Sequence, residues 1–198
     1  HVFRRETLIE ADSAKPATLH GRQESREDWR RVPFVTIDPP DAKDHDDAVH
    51  AEPDTAANNR GGFIVSVAIA DVAHYVTPGS ALDREARERG TSVYLPDRVI
   101  PMLPEIISNN LASLQPDKVR YAITARIEFT ADGLRLGTDV FKSAIKSRRR
   151  FAYEEVDEYL VGKGLVERKA DGGRRKWEGN AEGEPSTSFD PLPSPPLK

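Results

Sequence analysis

The chain has 198 residues and no cysteine, which excludes a disulfide framework and any thiolate metal or redox centre and leaves oxygen and nitrogen groups to do the chemistry. Its hydrophobic content of 37% is low for a chain packed along its whole length, and its net charge of −4 argues against a uniformly polyanion-binding surface. No apolar run approaches the length of a membrane span.

In chain order, residues 1–30 are polar. Residues 6–11 predict a short helix that ends before Pro16, and residues 21–30 predict a charged connector. The opening His1-Val2-Phe3-Arg4-Arg5 lacks the apolar core of a secretory signal, so a cytoplasmic location is expected. Pro33, Phe34, Val35 and Ile37 predict a short buried strand that delivers Asp38 at its carboxyl end, where Pro39-Pro40 cannot continue the sheet. The chain returns in a second strand through residues 48–51. Residues 62–71 are near-continuously apolar and β-branched, and predict a central strand buried on both faces that ends at Asp71.

Farther along, Ser80 suits the N-cap of a helix over residues 82–89 with Gly90 as its stop, and residues 103–110 predict another short helix. The strongest hairpin signal joins residues 121–130 to 134–141 through Ala131-Asp132-Gly133, with Ile123, Ala125, Ile127 and Phe129 expected to face a core. A helix is expected from Tyr153 to Leu160, after which Gly, Pro and charged residues compose a tail with little to bury. The expected fold is α/β: a mixed, largely antiparallel sheet with short flanking helices, the acidic loop and Asp71 lying at one edge. Three segments are expected: a connector with a short helix over 1–30, a folded domain over 31–161 and a disordered tail over 162–198.

The most informative stretch lies between the first two strands, where Asp38, Asp41, Asp44, Asp46 and Asp47 fall within ten residues. Crowded carboxylates raise one another's pKa, so a folded chain keeps them together where a cation offsets the repulsion or solvent screens it. Oxygen ligands point to a hard divalent ion. The spacing does not suit an EF-hand, which needs acidic residues at alternate positions, a central Gly and a closing Glu. A solvated acidic turn is the competing reading.

These residues carry a resemblance. Phe34-Val35-Thr36-Ile37-Asp38 through Asp44-His45-Asp46-Asp47-Ala48 resembles the acidic motif of the ribonuclease II/ribonuclease R family, closest to its ribonuclease R branch. Ala70-Asp71-Val72-Ala73-His74-Tyr75, Ser92-Val93-Tyr94-Leu95-Pro96 and Ser108-Asn109-Asn110-Leu111-Ala112-Ser113-Leu114 resemble that family's later blocks in the same order. The likeness runs over about residues 20 to 165 and implies the N-terminal part of a catalytic domain. The cold-shock-type barrel that usually precedes it, the rest of the domain and the S1-type barrel that follows are not found here. A truncated or frameshifted member, or one completed by another polypeptide, is therefore expected.

The resemblance implies hydrolytic, Mg²⁺-dependent 3′-to-5′ degradation of single-stranded RNA to 5′-nucleoside monophosphates, with Mn²⁺ as a substitute ion and no organic cofactor. By the same likeness Asp38, Asp44, Asp46 and Asp47 are the catalytic aspartates. Asp38, Asp44 and Asp47 would hold the metal directly or through water, and Asp46 is tied to the cleavage step. Tyr94 would stack on a base near the 3′ end, and Tyr153 would sit near the scissile phosphate. Arg150, in the run Arg148-Arg149-Arg150, is read either as a phosphate contact or as a solvated turn. Asp41 is read as a solvent-facing turn residue, and structural roles are expected for His45, His74 and Tyr75. Two alternatives stand beside the enzyme: an RNA- or metal-binding fragment without turnover, and a truncated product that misfolds.

Overall fold

The computed structural model describes residues 2–18 and 26–166. Within the compact unit His1–Val156, runs rich in β-branched residues build nine strands. These are β1 (Glu27–Trp29), β2 (Val35–Asp38), β3 (Asp47–Pro53), β4 (Phe63–Ala70), β5 (Val93–Tyr94), β6 (Val99–Ile100), β7 (Val119–Phe129), β8 (Arg135–Lys146) and β9 (Arg149–Ala152). Seven form one sheet in the order β1-β8-β7-β4-β3-β2-β9, while β5 and β6 make a separate hairpin. The edge pairs β1/β8 and β2/β9 are parallel and the interior pairs antiparallel, which agrees with the mixed, largely antiparallel sheet expected. The helices are α1 (Arg5–Ser13), α2 (Ala81–Arg89) and α3 (Tyr153–Gly162). A second unit begins at Asp157; its described part completes α3 and turns at Gly164. The expected tail lies outside the described residues from 167 onward.

Three expectations need correction. Residues 27–29 are a strand rather than connector: Glu27 pairs with Ser143 and Trp29 with Ile145, and the Trp29 ring lies 4.9 Å from Phe141. An edge strand tolerates charge on its open side, which is why its composition reads as a linker. β4 is central but not buried on both faces. Ile64, Ser66, Ala68 and Ala70 are buried, whereas Ile69 is 48% exposed. On β7 the buried face carries Arg120, Ala122 and Thr124, and the Ile123, Ala125, Ile127 and Phe129 face is only partly covered. Small residues at facing positions (Ala48 beside Ala68, Ala70 beside Ala122) let Phe34, Leu114 and Ile145 pack close against the backbone. The larger side chains therefore mark the looser face. Complete burial of Phe34 contributes about 2–3 kcal/mol.

A second cluster unites Ala11 of α1, Leu82 of α2, Tyr75, Leu103, Ile107 and Leu111. The Ser80 Oγ accepts from Asp83 N at 3.1 Å, and Gly90 closes α2 at φ 77°, as expected. Ser80→Ala should lower stability by about 1 kcal/mol, read as a drop of about 3 °C in the thermal midpoint. The helix expected over 103–110 takes π geometry at Ile107–Leu111 and delivers Ser113 and Leu114 against the acidic loop.

Candidate functional site

Asp38 is the last residue of β2 and only 7% exposed, as its place after an apolar run requires. β2 and β4 both run antiparallel to β3, so their carboxyl ends, Asp38 and Asp71, emerge at the same end of the sheet. Asp71, however, follows the central strand rather than lying at a sheet edge, and it does not line the acidic cleft. Its Oδ2 accepts from Arg26 Nη2 at 2.6 Å in a nearly fully buried pair, and the same guanidinium stacks 4.3 Å from the Tyr121 ring.

Between Asp38 and Asp47 the chain is held at several points. Ala42 N donates to Pro39 O, and Arg150 Nη2 donates to the carbonyls of both Pro39 and Pro40 at 2.6 Å. Arg150 is thus engaged on the acidic loop, a position that neither reading of the basic run anticipates. His45 is buried, with Nδ1 2.9 Å from Asp38 Oδ2, and neither atom has another partner within hydrogen-bond reach. The contact gives His45 the structural setting expected of it. The carbonyl of Asp46 accepts from Ala70 N at 2.8 Å, which ties the loop to the end of β4.

This path opens Asp38, Asp41, Asp44, Asp46 and Asp47 onto one cleft of about 400 Å³, with Tyr94 of β5 across from them. A neighbouring cleft of about 330 Å³ shares Asp44, Asp46 and Tyr94 and extends toward Ser92, Met102 and Ser108. The Tyr94 hydroxyl donates to Asp44 Oδ2 at 3.1 Å, while the ring is 66% exposed and has a free face. Tyr94 is therefore a rim residue and not core. Tyr153 begins α3 one residue after the Asp38–Ala152 register pair and is 56% exposed, but it is not part of the cleft wall. Asp41 is an exposed turn residue, as expected.

Desolvation in the concave wall raises the Asp46 pKa, and the charges of Asp44, Asp47 and Asp38 push it further in the same direction. Burial and the Asp44 carboxylate likewise raise that of Tyr94. A hard cation suits this donor set: it would take oxygen ligands and offset the repulsion that Asp46 records. Among the described residues, no three carboxylate or imidazole groups converge into a closed metal cage. Asp38, Asp44 and Asp47 share a cleft without forming a ready-made triad. Mg²⁺ is commonly bound through one or two carboxylates, several waters and substrate phosphate, which this open arrangement permits.

Ser113 is the residue that sequence reasoning missed. It is fully buried; its Oγ accepts from His45 N and donates to Lys43 O, each at 3.0 Å, and Leu114 N donates to His45 O at 2.8 Å. Arg120 Nε in turn donates to Ser113 O at 2.8 Å. Its place in the block of residues 108–114 marked the segment but gave the hydroxyl no role, because its partners lie 68 and 70 residues away.

Comparison with known proteins places these features in context. The RNB domain family matches residues 26–186. The ribonuclease R of Acidithiobacillus ferrooxidans is 48% identical over 162 residues, covering 82% of this chain and 36% of the relative. The structure of Mycoplasma genitalium RNase R in complex with double-stranded RNA superposes with a TM-score of 0.74 at 36% identity, over 82% of this chain and 28% of that one. The complex of the same enzyme with ribose-methylated single-stranded RNA gives 0.73 at 37% identity, over 82% and 25%. The chain thus spans about a quarter to a third of the length of these relatives.

Proposed function

Because this chain belongs to the RNB domain family, we propose that it carries the hydrolytic centre of a 3′-to-5′ exoribonuclease that releases 5′-nucleoside monophosphates from single-stranded RNA in the cytoplasm. One observation carries the reading: Asp38, Asp44, Asp46 and Asp47 line a single cleft at a sheet end, with an exposed tyrosine ring at its rim. In this reading the described residues from β1 through α3 belong to the N-terminal part of the catalytic domain.

Asp38, Asp44 and Asp47 would hold Mg²⁺ or Mn²⁺, directly or through water. When bound, the ion would supply charge stabilisation at the cleaved phosphodiester and a more acidic water. Asp46, whose pKa is raised by burial and then by the neighbouring carboxylates, would orient the attacking water. Tyr94 offers its free face to a base, an interaction worth about 1–3 kcal/mol per base and tolerant of sequence. Arg150 acts through the Pro39-Pro40 turn that it grips, and Tyr153, emerging beside Asp38, is placed near the phosphate path. A second reading, RNA or metal binding without turnover, takes its support from the geometry: among the described residues no three carboxylate or imidazole groups converge on one point.

Added Mg²⁺ at ten times its dissociation constant should stabilise the folded chain by about 1.4 kcal/mol, raising the thermal midpoint by about 3–5 °C. Asp44→Asn should remove the shift. No Mg²⁺ response in the wild type at matched ionic strength would count against the metal assignment. Tyr94→Ala should loosen binding of the RNA 3′ end by about 10-fold, read by fluorescence anisotropy.

The raised Asp46 pKa has a sign that can be tested. A carboxyl whose folded pKa lies above its unfolded value favours folding while protonated, and that contribution is lost as pH rises through the folded pKa. Asp46→Asn should therefore stabilise the chain in chelator, by an amount that grows from pH 4 to pH 7. A urea midpoint gain that is flat or shrinking across that range would contradict the electrostatic account.

A further inference from the structure

We propose that Ser113 is a positioning residue for the hydrolytic centre, a single buried hydroxyl that fixes the direction in which Asp44 leaves the backbone. This rests on the metal-assisted reading above. The hydroxyl bridges the two residues that flank Asp44: it donates to the Lys43 carbonyl and accepts from the His45 amide, both at 3.0 Å. Asp44 is consequently the apex of a loop pinned on either side from one point. Leu114 N adds a third tie at the His45 carbonyl, and the Arg120 guanidinium anchors Ser113 itself through its carbonyl.

The geometry separates this function from ordinary core packing. Ser113 is fully buried and lines neither of the two clefts, so its role is one of support rather than of substrate contact. Both partners of its hydroxyl are backbone groups of the acidic loop. Carboxylates that repel one another splay apart unless the backbone beneath them is held. Arg150 grips the same loop upstream at Pro39 and Pro40 and Ala70 N holds it downstream at the Asp46 carbonyl, while the Ser113 hydroxyl ties the backbone of both neighbours of Asp44. Groups that orient ligands in this way commonly change metal affinity by about 10- to 100-fold when removed.

The test uses the full chain, with Mn²⁺ as the probe, read by electron paramagnetic resonance together with amide hydrogen exchange. Ser113→Ala should weaken Mn²⁺ binding by about 10- to 100-fold and speed exchange at residues 43–47, while amides of β4 and β7 keep their protection. Ser113→Cys, similar in size with a weaker donor, should fall between. The control is Thr124→Ala, which deletes a buried hydroxyl bonded to Ser143 within the sheet and should leave Mn²⁺ affinity within about twofold. Equal Mn²⁺ binding by wild type and Ser113→Ala, or an equal loss in Thr124→Ala, would overturn the proposal. If the wild type binds no Mn²⁺, the metal reading fails separately; unchanged exchange at residues 43–47 in Ser113→Ala would then overturn the anchoring role, and selective loss would sustain it.

Discussion

Asp46→Asn should abolish nucleotide release: with this chain grafted in place of the matching segment of a full-length ribonuclease R, release of 5′-monophosphates from single-stranded RNA should fall by about 10³-fold or more. RNA affinity should change by less than about twofold, because in the role proposed for it the carboxylate would act on the reacting water and make little ground-state contact. Asn is nearly isosteric and removes only charge and basicity, so the loss reads chemistry rather than packing. A single-turnover assay at saturating enzyme separates the two. Shortening that persists in the variant would assign the proton or water handling to another group. A matched loss of binding and turnover would make Asp46 a ligand for RNA instead.

The second large effect concerns stability and lies at the same end of the sheet. Asp71→Asn should destabilise the chain by about 3–5 kcal/mol, because it leaves the Arg26 guanidinium buried opposite a neutral partner. The pair is 3% and 6% exposed on its two side chains, so solvent screening gives little relief. Tyr121 stacks on that guanidinium, and its carbonyl accepts from Asp71 N at 3.0 Å, so the loss should spread into β7. The double variant Arg26→Met/Asp71→Leu should recover much of the stability, since a well-packed apolar pair avoids the desolvation cost of two ions. Urea unfolding measures both. A single variant within about 1 kcal/mol of the wild type would show the pair to be dispensable.

Asp71 also shows how sequence reasoning strayed at this end of the sheet. Its position after an apolar strand parallels that of Asp38, and both were placed correctly at strand ends. Their chemistry differs because of what arrives from elsewhere in the chain: Arg26 at one, His45 and the open cleft at the other. Strand propensity and capping act within a few residues and were legible, as Ser80, Gly90 and the β7–β8 turn at Gly133 demonstrate. Core polarity was not. The pattern Ile123, Ala125, Ile127, Phe129 has the right period for a strand and the wrong face, because period alone does not say which face a neighbouring layer will cover.

The acidic loop divides along the same line. Its residue types and spacing, together with the ordered blocks over residues 34–114, determined the family and nominated Asp38, Asp44, Asp46 and Asp47 without any coordinates. The tertiary structure decided that Tyr94 stands at the rim, that Arg150 is spent on the Pro39-Pro40 carbonyls, and that Ser113 pins the backbone on both sides of Asp44. The physical reason is range. Propensity, charge and spacing are properties of neighbours in the chain, whereas the direction of a carboxylate is set by hydrogen bonds from residues 50 to 111 positions away, which only the folded path brings within reach.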